Sequence, residues 1–546
     1  MSAHRSRPAW MTTSLAAVVG AGLLSSGGTA QAVIGTPGAD GRHAYTVKLN
    51  LGDEANGRAC TGTLIDASWV LTAASCFAAT PGATVPAGRP ALKTTATLSD
   101  GRTADVAELA PRVDRDVVLA RLATPAGGIK GVKLAGAAPA AAAELTAAGF
   151  GRTKTQWVPA KLHTGTFTLD TTDATTLAVT GKGTDTLCKG DTGGPLLNAA
   201  GELVGVNSRS WQAGCLGTDP DETRTGAIAA RADDLRQWID ENRARTPGWQ
   251  TKTLVQSGSG LYQGVRLPDG SWTGFADVQT KASGINGVRS AAAAGINGDT
   301  HVLAISTNGG LFHTVRKPDG TWSAFGDVFS VANSLGNPTQ VSAVSLGSDL
   351  HVVAVADGRA FHTVRNAAGQ WTPFRDVSGG SVTNVTAAAT AGVRGELHVG
   401  LVSGGKPYHS IRQANGNWTA WGDVALAAGP SGPISSISAA GAGDETHFVI
   451  ATDNGARQFH TIRNPDGTWS LWGELKAVLG TVTAKSVSAA AVNGEVQVAV
   501  TTADGKLLHT TRHTNRSWDA PVTAPLQGLP ATPGSLAVTL TATFTG

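Results

Sequence analysis

The octapeptide Cys188-Lys189-Gly190-Asp191-Thr192-Gly193-Gly194-Pro195 places a hydroxyl and a carboxylate among closely spaced glycines. A hydroxyl on such a turn can act as a nucleophile when a base with a pKa near the working pH accepts its proton. A carboxylate must in turn orient that base. Thr192 is therefore the first candidate for chemistry, and its base and orienting carboxylate must come from elsewhere in the chain.

The octapeptide resembles the nucleophile loop of trypsin-like serine proteases, in which a Gly-Asp-Ser-Gly-Gly-Pro turn presents a serine. Further stretches resemble the same family, in its order: residues 33–35, 60–65 with 69–76, 114–122, 148–153 and a closing helix at 231–245. The resemblance implies a double β-barrel over residues 33–246. It places Ser75 at the position of the catalytic base, Asp116 at that of the orienting carboxylate and Thr192 at that of the nucleophile.

Two of these three positions depart from the family. A hydroxyl such as that of Ser75 cannot accept and return a proton near neutral pH, and the extra methyl of Thr192 restricts χ1 and crowds the attack trajectory. His43 and His163 are expected on strands away from the loop, and Lys189 is expected to point outward. We predict a domain without peptidase activity. The alternative is an active extracellular serine-type endopeptidase that uses Thr192 with a non-standard base.

The family resemblance also assigns roles to the rest of the octapeptide. Asp191 would pair with the N-terminal amine of Val33 after processing, and this pair would order an oxyanion loop formed by the N–H groups of Gly190 and Thr192. Processing two residues earlier would block the pair, and the alternative is that Asp191 is simply a buried, hydrogen-bonded loop residue. Near the primary specificity pocket, Asp185 either favours basic partners or is a solvated loop aspartate, the interpretation that we prefer.

The N-terminal residues indicate export from the cell. Arginines precede a short apolar stretch, and small residues offer cleavage after Ala30 or Ala32, which predicts a signal peptide over residues 1–32. No apolar run is long enough to span a membrane, so we expect a secreted, extracellular protein. In that oxidising compartment four cysteines can form two disulfides in three alternative pairings. The trypsin-like resemblance implies the pairs Cys60–Cys76 and Cys188–Cys215.

Residues 247–546 repeat a unit of about 50 residues six times. The recurring residues are Trp272, Trp322, Trp371, Trp418, Trp469 and Trp518, then Arg266, Arg316, Arg365, Arg412, Arg463 and Arg512, and finally His313, His362, His409, His460 and His509, with Gln263 in the first unit. Strands predicted at 291–295, 301–306, 311–316 and 322–328 form one unit, with a turn at Pro318-Asp319-Gly320. Four strands per unit indicate a propeller blade, and the chain end at 536–544 should complete the first of six blades.

The units resemble lectin propellers, including fucose-binding ones, which implies sugar sites between blades. The resulting glycan-binding candidates are Arg316, Arg365, Arg412, Arg463, Phe325, Trp421 and Trp472. The alternative is that the recurring histidines and tryptophans pack blade against blade. A second column, His301, His351, His398 and His447, is predicted to consist of neutral histidines that satisfy blade backbone groups, in preference to a metal ring.

The predicted fold class is therefore all-β: a trypsin-like double β-barrel with a C-terminal helix, followed by a lectin-like six-bladed β-propeller over residues 247–546. A net charge of +3 gives no indication of nucleic-acid binding. We expect no cofactor and no metal. The main hypothesis is a binding protein whose propeller takes glycans or a cell-surface ligand. A further alternative is a decoy whose cleft captures a peptide or a protease inhibitor.

Overall fold

The computed structural model describes residues 36–37, 41–53, 57–530 and 536–546. The predicted signal peptide and Val33 therefore lie outside the described residues. The described chain consists of two six-stranded barrels, a helix and a six-bladed propeller, which confirms the predicted fold class. Within these ranges, no helix has the length and apolar character needed to cross a membrane.

The first barrel is closed by six strands in the order β2-β3-β4-β7-β6-β5. Its strands are β2 (Thr46–Leu51), β3 (Arg58–Leu64), β4 (Trp69–Thr72), β5 (Thr94–Thr97), β6 (Thr103–Pro111) and β7 (Val118–Leu122); β1 (Thr36–Pro37) precedes them and joins the second barrel. Apolar side chains such as Leu49, Trp69 and Leu119 fill its interior. A 3-10 turn at Ala74–Cys76 follows β4 and places Ser75 at the surface.

The second barrel carries the octapeptide. Its strands are β8 (Glu144–Gly149), β9 (His163–Thr172), β10 (Thr176–Gly181), β11 (Pro195–Leu197), β12 (Leu203–Ser210) and β13 (Gly226–Arg231). They close in the order β8-β9-β10-β13-β12-β11, and β1 adds to β9. Helix α1 (Arg236–Arg243) follows and is shorter than the predicted 231–245, because Arg231 still pairs with Gly205 in the sheet.

Six four-stranded sheets form the propeller. Blade 1 contains β14 (Gly248–Ser257), β15 (Gly260–Arg266), β16 (Ala276–Asp277) and the chain-end strand β37 (Leu536–Thr545); blade 2 contains β17 (Val288–Ile296), β18 (Asp299–Ser306), β19 (Leu311–Arg316) and β20 (Gly326–Asp327); blade 3 contains β21 (Pro338–Leu346), β22 (Asp349–Ala356), β23 (Arg359–Arg365) and β24 (Arg375–Asp376). Blade 4 contains β25 (Val385–Val393), β26 (Glu396–Ser403), β27 (Lys406–Arg412) and β28 (Gly422–Asp423); blade 5 contains β29 (Ile434–Ala442), β30 (Glu445–Thr452), β31 (Arg457–Arg463) and β32 (Gly473–Glu474); blade 6 contains β33 (Ala484–Val492), β34 (Glu495–Thr502), β35 (Leu507–Arg512) and β36 (Val522–Thr523). Short helices α2 (Val278–Ala282), α3 (Phe329–Ala332), α4 (Ala425–Ala428) and α5 (Lys476–Leu479) and a 3-10 turn at Asp453–Gly455 lie between strands.

The last strand of the chain closes the ring. Strand β37 pairs with β14 along its whole length, from Gly248 opposite Thr545 to Ser257 opposite Leu536. The prediction that the chain end completes the first blade is confirmed. This pairing removes the two free sheet edges that an open ring would expose.

The fourth strand of each blade is shorter than the sequence indicates. In blade 2 the predicted strand 322–328 reduces to Gly326–Asp327, with one isolated bridge between Arg316 and Trp322. The chain leaves its own sheet here because Phe325 N donates to Ala282 O of the preceding blade. Blades 1, 3 and 5 make a corresponding backbone hydrogen bond, so the outer edges of these four blades help to join neighbouring blades.

The second histidine column differs from its prediction. These histidines hydrogen-bond the histidines of the third strand, and not the blade backbone: His301 Nδ1 lies 3.0 Å from His313 Nε2, and the pairs His351–His362, His398–His409 and His447–His460 repeat this contact at 3.1, 3.2 and 2.9 Å. The reason is the register of the two strands. His313 lies opposite Leu303, and His301 is two residues from Leu303 along β18. Residues two apart on a strand share a face, so both imidazoles lie on the same face of the sheet.

The two domains are joined by a dense polar junction at the end of α1. The buried Arg243 donates to Asp66 at 2.5 Å in the first barrel, and to Trp272 O at 3.1 Å and Ser271 Oγ at 3.0 Å in blade 1. Gly274 N of the propeller donates to Asp240 of α1 at 2.8 Å. These contacts tie the helix to both domains.

Candidate active site

The octapeptide forms a tight turn packed against the first barrel. Gly193 has φ +87°, and a Cβ atom there would lie 2.0 Å from Thr72 Oγ1, so no larger residue can take its place. Thr61 N donates to Thr192 O at 2.9 Å, and Gly193 N donates to Asn207 O at 2.7 Å. The loop is thus held by strands of both barrels, and it presents Thr192 at their boundary.

Two disulfides brace the site. They join Cys60 to Cys76, beside the turn that carries Ser75, and Cys188 to Cys215, at the start of the octapeptide. These are the pairs that the family resemblance implies. Each closes a short loop, and cross-links of this kind typically contribute about 2–4 kcal/mol to stability.

Asp116 holds a hydroxyl where an imidazole would be expected. Ser75 N donates to Asp116 Oδ1 at 2.7 Å, and Ser75 Oγ donates to Oδ2 at 2.8 Å. Ser208 Oγ of β12 also donates to Oδ2, at 2.6 Å. Both carboxylate oxygens are therefore satisfied without a titratable partner. The role of Ser208 was not predicted, because nothing in the sequence around it distinguishes it from other strand serines.

No base reaches the hydroxyl of Thr192. Its Oγ1 donates to Ser208 O at 3.3 Å, and among the described residues no histidine, lysine or carboxylate contacts that oxygen. His43 lies in a turn before β2, and not on a strand as predicted, with its Nδ1 3.1 Å from Tyr45 Oη. His163 begins β9 and is buried, and Lys189 is exposed. The arrangement contains a hydroxyl and a carboxylate but lacks the proton acceptor between them.

The expected oxyanion donors are free. Across the residues that the structure describes, Gly190 N and Thr192 N have no hydrogen-bond partner, whereas Gly190 O accepts from Thr61 Oγ1 at 2.8 Å. A free pair of backbone N–H groups can bind a carbonyl oxygen whether or not a base is present.

Asp191 is completely buried beneath the loop. It accepts from Gly151 N at 2.7 Å and Cys188 N at 2.9 Å, and burial raises its pKa to about 7. A Cβ atom at Gly149 would lie 2.1 Å from this carboxylate, which explains the glycine there. The ion pair with Val33 remains a prediction, because Val33 lies outside the described residues.

The environment of Asp185 differs from the solvated loop that we predicted for it. Its carboxylate is half-buried and accepts from Thr166 N at 2.7 Å, and burial raises its pKa. It is therefore not a solvated loop aspartate, because the backbone of the neighbouring strand holds it in place.

Two exposed tryptophans near the octapeptide are a feature that the sequence did not reveal. Trp211, immediately after β12, is 54% exposed, and Trp157 is 57% exposed. The guanidinium of Arg224 lies 3.5 Å from the Trp211 ring centre, and that of Arg152 lies 4.5 Å from the Trp157 ring centre. Exposed indoles held in place by arginines are typical of surfaces that bind another molecule.

The propeller candidates lie along the boundaries between blades. Trp421 Nε1 donates to Val377 O of the preceding blade at 2.9 Å, and Trp472 and Phe325 are half-buried in apolar clusters. Arg316 is buried, whereas Arg365, Arg412 and Arg463 are half-buried. These residues do not converge on one site. In the described ranges no group of histidine, cysteine and acidic side chains could hold a metal ion.

Comparison with known proteins agrees with this architecture in the first domain. Residues 32–239 match the family model described as Trypsin. A solved structure of HL collagenase is 20% identical to this chain, with a TM-score of 0.31; the match covers 38% of this chain and 96% of the collagenase chain. No curated protein matches the chain. With two closed barrels, a bracing pair of disulfides and this family match, residues 32–239 form a trypsin-like domain, which a six-bladed propeller follows.

Proposed function

We propose that this is a secreted binding protein whose trypsin-like domain holds a polypeptide segment without cleaving it. The observation that carries the proposal is the hydroxyl of Ser75 bonded to Asp116, in the place of a base. Without a proton acceptor, Thr192 cannot be activated as a nucleophile. Binding and the oxyanion donors alone supply about 10³–10⁴-fold over water, far below the rate of a complete triad.

The cleft nonetheless retains features that bind a peptide. The free N–H groups of Gly190 and Thr192 can donate to a peptide carbonyl, and Trp157 and Trp211 offer apolar surface nearby. The Cys188–Cys215 disulfide braces the loop that carries Gly190 and Thr192, and a preorganised loop loses less entropy on binding. A peptide or the exposed loop of a protease inhibitor has the chemistry that such a cleft would recognise.

Secretion is supported by cysteine usage. All four cysteines form disulfides, and such bonds persist in oxidising compartments.

Hydrolysis assays test the loss of catalysis directly. The purified full-length protein is compared with Ser75→His, Thr192→Ser and the double variant on a library of peptides and esters. We expect no turnover by the natural protein and measurable turnover by the double variant. Turnover by the natural protein that Asp116→Ala abolishes would contradict the proposal.

We further propose that the propeller binds glycans along its blade boundaries. Half-buried arginines and half-buried aromatic residues recur there from blade to blade, among them Arg412, Arg463, Trp421 and Trp472. Arginine can donate to sugar hydroxyls while an indole packs on the apolar sugar face. Several equivalent weak sites would gain affinity on a glycan-coated surface. A glycan array probed with the full chain tests this, and the absence of signal on every glycan would rule it out.

A further inference from the structure

Five of the six blade junctions are filled in the same way. A tryptophan of one blade meets, edge-on, the third-strand histidine of the blade before it, with ring centres 5.3–5.7 Å apart. The pairs are Trp371–His313, Trp418–His362, Trp469–His409, Trp518–His460 and Trp272–His509. Such edge-to-face contacts are favourable beyond the burial of their surface.

The junction between blades 1 and 2 lacks this contact. Its tryptophan is Trp322, and the residue of blade 1 that corresponds to the histidine is Gln263. Within the described part of the chain, Trp322 has no ring partner like those of the other five tryptophans.

The second-strand histidine is also replaced in blade 1. Lys252 holds the position in blade 1 that His301 holds in blade 2, because Lys252 pairs with Val265 and His301 pairs with the equivalent Val315. Its ammonium is bonded to Gln250 Oε1, and the Gln250 amide in turn donates to the backbone that links the two domains. Lys252 therefore belongs to the domain junction and does not replace the missing imidazole.

A cavity of about 490 Å³ opens at this junction. Its walls include Gln263, Phe275, Arg316 and Trp322 of the propeller, and Gln237 and Glu241 of α1 cover it from the trypsin-like domain. Pockets for small molecules typically measure about 300–1,000 Å³ and combine apolar walls with a few polar groups. This cavity has that size and composition.

Two buried donors in the cavity wall lack partners. The side chain of Arg316, a residue that is 7% exposed, makes no hydrogen bond or ion pair among the described residues. Gln263 Nε2 is buried without an acceptor in the same part of the chain. A buried guanidinium without a partner is unfavourable, and a bound anion would relieve that penalty.

The acidic residues of the cavity wall are already engaged. Asp240 accepts from Arg243 and Gly274 N, Glu241 from Lys281, and Asp277 from Gln279 N at the start of α2. Of the cations in this wall, Lys281 pairs with Glu241 and Arg236 donates to Leu134 O, whereas the guanidinium of Arg316 is left for a ligand.

We propose that the cavity binds a small ring-bearing carboxylic acid, with the ring against Trp322 and the carboxylate paired with Arg316. The ring packs against Trp322, whose counterparts pack against an imidazole at the other five junctions, and Gln263 Nε2 donates to a ligand oxygen. A sugar acid and an aromatic acid share this chemistry. The ligand would also contact both domains, because α1 forms one wall of the cavity.

Titration calorimetry on the full chain tests the proposal with two acids, each compared with a neutral counterpart. Glucuronate is compared with glucose, and benzoate is compared with benzyl alcohol. We expect one acid to bind, which identifies the source of the ligand, and its neutral counterpart to bind at least about 30-fold more weakly. Failure of both acids to bind, or equal binding of acid and neutral counterpart, would overturn the proposal.

Variants locate the binding site. Arg316→Gln should weaken binding of the acid at least about 30-fold, whereas Arg359→Gln, on the exposed face of blade 3 with an ion pair to Asp376, should leave it unchanged. Gln263→His places an imidazole against Trp322 and should abolish binding while raising the melting temperature. This variant keeps the test decisive should Arg316→Gln fail to fold. Undiminished binding by Gln263→His would exclude the cavity. None of these outcomes depends on whether the trypsin-like domain cleaves peptides.

Discussion

Ser75 Oγ donates to Asp116 Oδ2 at 2.8 Å, so the carboxylate that would orient a catalytic base instead holds a hydroxyl. The same oxygen accepts from Ser208 Oγ at 2.6 Å, and Oδ1 accepts from Ser75 N. Both carboxylate oxygens therefore have hydrogen-bond donors without an imidazole, whereas an unsatisfied carboxylate would destabilise the domain. The hydroxyls of Ser75 and Ser208 can thus stabilise this part of the trypsin-like scaffold where no histidine is present.

Restoring the base and the nucleophile should restore covalent reactivity. We expect the Ser75→His/Thr192→Ser variant to react with a sulfonyl fluoride at position 192, and the natural protein to remain unlabelled, because only the variant has an imidazole next to Asp116. Intact-mass spectrometry and peptide mapping measure the label. Adding Asp116→Asn should slow labelling by up to about 10⁴-fold, since the imidazole loses its orienting partner. Equal labelling of the natural protein would show that another base serves Thr192.

The charge state of Asp191 distinguishes the two interpretations of its role. Burial raises its folded pKa to about 7, above the usual value of 3.8, so the folded state binds the proton more tightly than the unfolded state. The resulting stabilisation is complete below pH about 4 and is lost as the pH rises through about 7, with a slope of up to about 1.4 kcal/mol per pH unit.

Urea unfolding of the natural protein and of Asp191→Asn, measured across this range, isolates that contribution. Asparagine keeps an acceptor for Gly151 N but does not titrate. We expect the advantage of the natural protein over the variant to shrink between pH about 4 and 7. An advantage that grows with pH would indicate an ionised Asp191 paired with the N-terminal amine.

The histidine pairs should make the propeller sensitive to acid. Burial lowers the pKa of His301 to about 4 and that of His313 to about 3, below the ordinary value of 6.5. The unfolded state therefore binds protons first as the pH falls. The stabilisation is complete above pH about 6.5 and is lost as the pH falls through about 4, by up to about 1.4 kcal/mol per pH unit for each histidine.

Blade 6 supplies a matched replacement for this test, because its second-strand residue is Gln497, whose Oε1 lies 2.9 Å from His509 Nε2. The His301→Gln variant should therefore fold. As the pH is lowered from about 6.5 to about 4, its melting temperature should decrease less than that of the natural protein. An identical slope for both proteins would show that His301 does not titrate in this range.

The features that the sequence could predict are those encoded locally or by repetition. A period of about 50 residues defined six blades, and the alignment of the chain end with the first blade predicted its closing strand. The disulfide pairs followed from the family resemblance. Strand bounds were less accurate, because Phe325 N bonds to the preceding blade and not to its own sheet.

Features that depend on distant residues coming together could not be predicted. Ser208 and Asp116 are 92 positions apart, and only the fold brings them into contact. The sequence shows that Gln263 replaces the histidine found at this position in the other five units, but it does not show that a cavity results. The cavity exists because Trp322 of the next blade and α1 of the other domain border the same space.

Arg243 should hold the two domains in one orientation. It is 9% exposed and joins Asp66 of the first barrel to Trp272 O and Ser271 Oγ of blade 1. Arg243→Ala removes the cationic partner of the buried Asp66, and removal of one member of such a pair typically costs about 3–5 kcal/mol. We expect small-angle scattering to show a larger radius of gyration, together with faster proteolysis at residues 246–248.

Arg245→Ala is the matched control, because Arg245 is more exposed and pairs with Glu108 inside the trypsin-like domain. Its loss should change stability by about 0–1 kcal/mol and leave the scattering profile unchanged. If Arg243→Ala behaves like this control, other contacts must hold the domains together. The hydrogen bond from Gly274 N to Asp240 is then the next to remove, with Asp240→Ala, because it also links α1 directly to the propeller, as does the ion pair of Glu241 with Lys281.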